Sequence, residues 1–249
     1  MNLLRRDRPR SVLASRTRQL LIIGACAFLG ASIDVTVRGA VMSDLFDGDV
    51  VDVGNVRFDN WELVSLASTA AVNPDLSQIL VVPLDDDPLN PGLQFVANGQ
   101  LSTVGLNSID LVFQFRVSSM AGGVHAVGHS LELTGFNFGG DGGIVLITDE
   151  LADGGGADLG STLVIADKAS EFYQLLDTSD FGPRPEVVVV ANVFVTGLSE
   201  SDVASLDTFA QRFSQQIPEP ASLSMIMTVG TMCLLTFRRG PASRREPQG

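Results

Sequence analysis

The chain has 249 residues, of which 45% are hydrophobic, and its 16 basic and 29 acidic residues give a net charge of −13. Ten of the basic residues lie at the two ends. Residues 41–216 contain only five basic residues against 25 acidic ones, a balance near −20. A surface this acidic repels phosphate backbones, so the composition argues against nucleic acid as a partner.

The first 32 residues have the layout of a secretory signal. Six arginines between Arg5 and Arg18 precede an uncharged apolar stretch of twelve residues, 20–31. A basic segment followed by an apolar core and small residues is typical of a signal peptide. We therefore predict that residues 1–32 form a signal helix, that cleavage occurs near Ser32, and that the remainder is exported.

The central segment, residues 41–216, predicts one all-β domain. Its apolar runs are short and are separated by Gly, Asn, Asp and Pro, as in antiparallel sheets. Strands are predicted at 56–63, 78–84, 93–97, 109–117, 128–138, 143–148, 161–166 and 186–195. Eight to ten such strands predict an antiparallel β-sandwich of jelly-roll-like type.

Two of these segments carry a further prediction. The consecutive valines of 186–195 predict a strand that is buried on both faces. Segment 203–214 fits either a last strand or a short helix capped by Ser201 and Asp202. The only cysteines, Cys26 and Cys233, lie in apolar end segments, so the central domain has no disulfide and no thiolate site.

Two kinds of side chain in the central domain are candidate metal ligands. Asp85, Asp86 and Asp87 form a carboxylate cluster beside a proline and are candidate Ca²⁺ ligands. A second acidic segment, 47–52, offers the same oxygens, but neither follows the EF-hand order. His125 and His129 are four residues apart. On a strand this spacing separates them by about 13 Å, too far to share one ion. We therefore expect no resident cofactor, with Ca²⁺ as the alternative.

No catalytic constellation stands out in the central domain. It has no Gly-x-Ser-x-Gly sequence, and its glycine-rich segments are not followed by Lys-Ser or Lys-Thr. A hydrolase would need two paired carboxylates, and 25 acidic residues do not select a pair. Trp61 and Tyr173 are the only Trp and Tyr. Sugar-binding platforms generally rely on such rings, so their scarcity counts against a sugar-binding face. We expect a protein that is not an enzyme.

The last 33 residues, 217–249, contain three features in a fixed order. Pro218, Glu219 and Pro220 precede sixteen uncharged residues, 222–237. As a helix these would extend about 24 Å, close to the thickness of a thin bilayer. Four arginines follow, and they would keep the C-terminus on the cytoplasmic side. These are Arg238, Arg239, Arg244 and Arg245.

This order resembles the PEP-CTERM sorting signal of exported bacterial proteins. The resemblance implies that residues 217–249, with their predicted transmembrane helix, are a signal that a membrane-embedded exosortase recognises and cuts near Pro-Glu-Pro. The protein is then expected at the cell surface or outside the cell, with exopolysaccharide as a further partner. Segments 53–61, 109–113 and 209–215 are similar to ectodomains that precede this signal, which favours a strand over a helix at 203–214.

The favoured hypothesis is therefore an exported, non-catalytic surface or extracellular-matrix protein. It is membrane-anchored through its C-terminal helix until processing. The alternative is a Ca²⁺-dependent carbohydrate-binding module of the cell surface or exopolysaccharide.

Overall fold

The computed structural model describes residues 39–70, 72–120 and 124–216. The predicted signal helix, the predicted transmembrane helix and the sorting-signal residues lie outside these ranges. Within the described ranges, no helix combines the length and the apolar character that a membrane span requires.

The described residues form fourteen strands, one short α-helix and one 3-10 turn at Leu76–Gln78. In chain order they are β1 (Ala40–Val41), α1 (Met42–Phe46), β2 (Val51–Val53), β3 (Val56–Ser68), β4 (Leu80–Leu84), β5 (Gly92–Val96), β6 (Ser102–Val104), β7 (Ser108–Ser119), β8 (His125–Gly139), β9 (Ile144–Asp153), β10 (Asp158–Asp167), β11 (Phe172–Gln174), β12 (Leu176–Arg184), β13 (Glu186–Thr196) and β14 (Val203–Gln216).

The strands form two antiparallel sheets of seven strands each. Sheet A has the order β1-β4-β5-β14-β8-β12, with β6 also paired to β14. Sheet B has the order β11-β10-β9-β13-β7-β3-β2. Because both sheets bury one face in a common core, the prediction of an all-β antiparallel sandwich is confirmed.

Aromatic rings from both sheets fill the centre of the sandwich. The Trp61 ring stacks on Phe115 with 4.6 Å between centroids, and Phe95 stacks on Phe209 at 4.4 Å. The Trp61 indole N–H donates to the carbonyl oxygen of Phe58, so its one polar atom is satisfied inside the core. Each fully buried apolar side chain contributes about 1.5–3 kcal/mol, so these rings stabilise the packing of one sheet on the other.

All nine predicted segments coincide with or overlap an observed strand, including the last. The helix alternative for 203–214 was wrong, because β14 pairs with β5 and β6 on one side and with β8 on the other. The prediction that both faces of β13 are buried was also wrong. Its side chains alternate between buried and part-buried, since in the described residues no layer covers the outer face of sheet B.

The neighbouring strands β5 and β14 of sheet A approach so closely that only glycine fits at position 92 of β5. A Cβ atom added to Gly92 in β5 would overlap the carbonyl oxygen of Gln211 and would lie 2.9 Å from Cα of Arg212, both in β14. Because the obstructing atoms are backbone atoms of a paired strand, they cannot move aside independently.

Candidate functional site

A trough crosses the outer face of sheet B. Its floor is formed by Val188 and Val190 of β13 and by Ala152 of β9, whose side chains point away from the core. These positions are outward because the buried residues of β13 are the intervening ones, starting with Val187 and Val189. Strand alternation therefore gives this solvent-facing site an apolar floor.

Polar side chains border the floor on both sides. The larger cavity, about 440 Å³, is lined on β9 and β10 by Glu150, Asp158 and Ser161. A smaller cavity of about 130 Å³ lies against the other side of Val188 and is lined by residues of β3, β7 and β13. Its polar members are Asn60, Gln114, Arg116 and Glu186. The two cavities share Val188 and lie side by side on the outer face of sheet B, and we call the surface that they form together the trough.

Strand register explains why these residues meet. Arg116 lies opposite Val188, which lies opposite Ala152, which lies opposite Asp158. In the neighbouring row, Gln114 lies opposite Val190, and Val190 lies opposite Glu150. The trough therefore runs across five adjacent strands, from β3 to β10. At about 4.8 Å per strand it is about 19 Å long.

The only cation lining the trough among the described residues is already paired. Arg116 donates two hydrogen bonds to the carboxylate of Asp59, at 2.7 and 3.1 Å, and its guanidinium lies 3.6 Å from Glu186. The bond to Asp59 raises the pKa of Arg116. With Arg116 neutralised by Asp59, the carboxylates of Glu150, Asp158 and Glu186 leave the trough negatively charged.

A second polar feature lies inside the core, between the sheets. His129 and Gln211 come from sheet A, and Thr162 and Asp149 from sheet B; all four are at most 2% exposed. Nδ1 of His129 lies 3.2 Å from the hydroxyl of Thr162, and Nε2 lies 3.4 Å from Oδ2 of Asp149. The Gln211 amide donates to the same Oδ2 at 2.8 Å. We call these four residues the buried polar cluster.

Burial controls protonation in this cluster. It raises the pKa of Asp149 to about 8, although the hydrogen bond from Gln211 acts to lower it. It lowers the pKa of His129 to about 3, although the nearby carboxylate of Asp177 acts to raise it. At neutral pH the His129–Asp149 pair therefore holds one proton and carries no net charge, which is how two ionisable groups are accommodated in a core.

The order hydroxyl, imidazole, carboxylate in this cluster matches the order of a catalytic triad. A triad acts on a substrate carbonyl that must reach the hydroxyl oxygen. Here Thr162 is 1% exposed and lies beneath the sheet, so no substrate reaches it in this conformation. The cluster therefore joins the two sheets through polar contacts and is not an accessible reaction centre.

The predicted Ca²⁺ ligands lie in the loop between β4 and β5, where two of the three carboxylates have protein partners. Asp86 forms an ion pair with Arg212 of β14 at 2.9 Å. Asp87 accepts from the side-chain amide of Asn90 at 2.6 Å and from the backbone N–H of Leu89 at 2.9 Å. The Asn90 bond lowers the pKa of Asp87 most. In the described ranges no three His, Cys, Asp or Glu side chains cluster as metal ligands would.

The other predicted candidates are dispersed. His125 and His129 both lie on β8, as the strand prediction required, and only His129 joins the buried polar cluster. Trp61 is 6% exposed and belongs to the core. Tyr173 is 43% exposed and stacks on Phe136, with 6.0 Å between centroids. Pro218, Glu219, Pro220, Arg238, Arg239, Arg244 and Arg245 lie outside the described residues.

Sequence reasoning missed Asp149, Thr162 and Gln211. The signal that could have found them is alternation. Asp149 follows Val145 and Ile147 at every second position, and Gln211 lies between the inward-facing Phe209 and Phe213. A polar residue in the inward register of a strand is the observation that predicts a buried polar contact.

No protein-family model matches the chain, and a search of curated proteins finds no match. One similar solved structure belongs to a study of the promiscuous specificity of carbohydrate-binding modules from the β-sandwich superfamily. Its sequence is 8% identical to this chain. It covers 66% of this chain and 58% of its own, with a TM-score of 0.27. TmCBM61 in complex with β-1,4-galactotriose is 14% identical, over 61% of this chain and 87% of its own, with a TM-score of 0.25.

A DUF4465 family protein from Bacteroides caccae is 10% identical, over 61% of this chain and 99% of its own, with a TM-score of 0.22. The match spans 58% of the length of the first of these proteins. TM-scores of 0.22 to 0.27 carry no argument about ligand or activity.

Proposed function

We propose that the chain is an exported, non-catalytic protein of the bacterial cell surface or extracellular matrix. Its jelly-roll-like sandwich is delivered by the C-terminal sorting signal, with exosortase as the processing partner. Residues 217–249 anchor the protein in the membrane until they are removed. The mature protein is expected at the cell surface or outside the cell, in contact with exopolysaccharide.

The observation that carries this proposal is where the sandwich ends. β14 extends to Gln216, and Pro218, Glu219 and Pro220 follow after a single residue. β14 lies in the interior of sheet A, and its partners β5 and β8 belong to the described residues. A cut near Pro-Glu-Pro would therefore leave every strand of the sandwich intact, which is what a removable signal requires.

Mass spectrometry of the protein recovered from the culture medium and from the cell surface tests this proposal. The mature chain should begin near residue 33 and end near residue 218. Replacing Pro218 and Pro220 with alanine should leave an uncut protein in the membrane fraction. A mature surface protein that still carries Arg238 and Arg239 would contradict the processing step.

The second candidate function is carbohydrate binding by the sandwich. The trough supports it, because an apolar floor with hydrogen-bonding walls suits the alternating apolar and hydroxyl faces of sugar rings. Binding of the purified domain to a panel of polysaccharides, measured by affinity electrophoresis and calorimetry, tests this candidate directly. Absence of binding to every polymer of the panel would exclude it.

Calcium dependence is a separate part of this second candidate. A Ca²⁺ ion at Asp85, Asp86 and Asp87 would have to displace Arg212 from Asp86. The Arg212→Gln variant would remove that competing cation and should bind Ca²⁺ more tightly than the wild type if the loop is a site. Thermal unfolding of the wild type and of the variant, each with Ca²⁺ and with chelator, tests calcium binding. For each protein, the same unfolding temperature with Ca²⁺ as with chelator would argue against a calcium site.

A further inference from the structure

The shape of the trough selects an extended guest. It crosses five strands of sheet B over about 19 Å. Along the strands most of its lining comes from two neighbouring rows of outward residues about 7 Å apart, and Glu186 adds a third row at one end. A compact small molecule would contact only one of its two cavities. A linear polymer lying across the strands would contact both.

The chemistry of the walls selects a guest rich in hydroxyl groups. Gln114 and Asn60 carry amides that donate and accept, and Ser161 carries a hydroxyl that does both. One N–H of the Gln114 amide already donates to Glu62 at 2.7 Å, which leaves its oxygen and its other N–H for a guest. Between them the valine floor offers only apolar contact. A polymer whose residues have an apolar face and a rim of hydroxyls can satisfy both kinds of surface at once.

The charge of the trough selects against anionic guests. Glu150 and Asp158 are exposed, and Asp158 accepts from the backbone N–H of Gly160 at 2.8 Å. Arg116 does not offset them, because it is bound to Asp59. In water, two like charges about 5 Å apart weaken binding about fourfold, so two such contacts weaken it on the order of tenfold.

We propose that the trough binds a neutral polysaccharide lying across the strands of sheet B, and that Glu150 and Asp158 exclude acidic polysaccharides from it. This inference rests on the carbohydrate-binding candidate and specifies its site and its substrate class. The two carboxylates act as specificity-determining residues, because they set which polymer is rejected without being needed to hold the neutral one.

The test compares polymers that differ in charge, using a panel of neutral glucans, galactans, mannans and xylans together with carboxymethylated forms of each. The wild type should bind at least one neutral polymer, and its carboxymethylated form at least tenfold more weakly. In the Glu150→Gln/Asp158→Asn double variant that gap should fall to threefold or less, while affinity for the neutral polymer changes less than threefold. Asparagine at 158 can still accept from Gly160, so the turn is preserved.

A matched control lies on the other sheet. Glu132 of β8 is exposed in sheet A, and Glu132→Gln removes one charge far from the trough in sequence and on a different sheet. It should leave both affinities unchanged. A Val190→Arg variant, which places a long side chain on the floor, should weaken neutral binding at least tenfold, with Trp61 fluorescence confirming the fold.

The outcomes separate the two claims. Binding of a neutral polymer with no charge discrimination, or with discrimination that the double variant retains, overturns the assigned role of Glu150 and Asp158. Binding that Val190→Arg leaves intact overturns the assigned site. Failure of the wild type to bind any polymer overturns the carbohydrate-binding candidate itself, while the sorting proposal is still judged by the mature termini.

Discussion

Replacing Asp149 with asparagine should change how stability depends on pH. In the unfolded chain aspartate has a pKa of 3.8 and histidine of 6.5, whereas in the folded protein those of Asp149 and His129 are about 8 and about 3. Between pH 4 and 6.5 the folded pair and the unfolded pair each hold one proton, so their contribution to the free energy of unfolding is constant.

Between pH 6.5 and 8 the balance changes. The folded pair keeps its proton, while both groups are deprotonated in the unfolded chain. A raised folded pKa means that stability is lost as the pH rises towards it, at about 1.4 kcal/mol per pH unit, or about 2 kcal/mol over this interval. Below pH 4 the unfolded chain takes up the extra proton, and stability falls again as His129 resists protonation.

Urea unfolding, followed by the fluorescence of Trp61, measures the free energy of unfolding at steps of half a pH unit from pH 5 to 9. Trp61 is the only tryptophan of the chain. The wild type should lose about 2 kcal/mol between pH 6.5 and 8. Asp149→Asn removes the titrating carboxyl but keeps its acceptor for Gln211, so its curve should be flat there. Parallel curves for the two proteins, or a flat wild-type curve, would refute the assignment of a protonated pair.

Three other outcomes follow from described contacts. Gly92→Ala should lower the free energy of unfolding by about 1–3 kcal/mol by overpacking, whereas Gly182→Ala, with no atom within 4 Å of its Cβ, should change it little in urea titrations. Burial acts to raise the pKa of Asp202, but hydrogen bonds from the Ser199 hydroxyl and from three backbone N–H groups lower the pKa overall. The free energy of unfolding, measured in urea titrations, should therefore fall on acidification below pH 4. It should fall less in the Asp202→Asn variant. Deleting 217–249 should leave urea unfolding unchanged and abolish membrane retention, as fractionation would show.

Alternation made nine of the fourteen described strands predictable from sequence, and the longest of the five that it missed is β12. In β7 apolar and polar side chains alternate strictly, and every second residue from Ile109 to Val117 is buried, as predicted. β12 has no such pattern, because it lies at the edge of sheet A with both faces partly exposed and carries Pro183 near its end. Edge strands bury little, so hydrophobic patterning does not mark them.

The trough was out of reach for a different reason. Its residues come from β3, β7, β9, β10 and β13, which are neighbours only through the strand order of sheet B. Gln114 and Glu150 sit on opposite sides of Val190 because of pairing register. Periodicity indicates which way a side chain points, but it does not indicate which distant strand lies beside it.

The position of β14 has a consequence for the proposed export. It is the last strand, yet it lies between β5 and β8 in sheet A. In the proposed export, until β14 has emerged from the translocation channel, sheet A would consist of three separate pieces, β1-β4-β5, β6 and β8-β12. Completion of the sandwich must wait for nearly the whole domain to be outside, because contacts between distant parts of the chain form last. During the proposed secretion these pieces would expose unpaired strand edges, so chaperones that shield such edges would be most needed just before translocation ends.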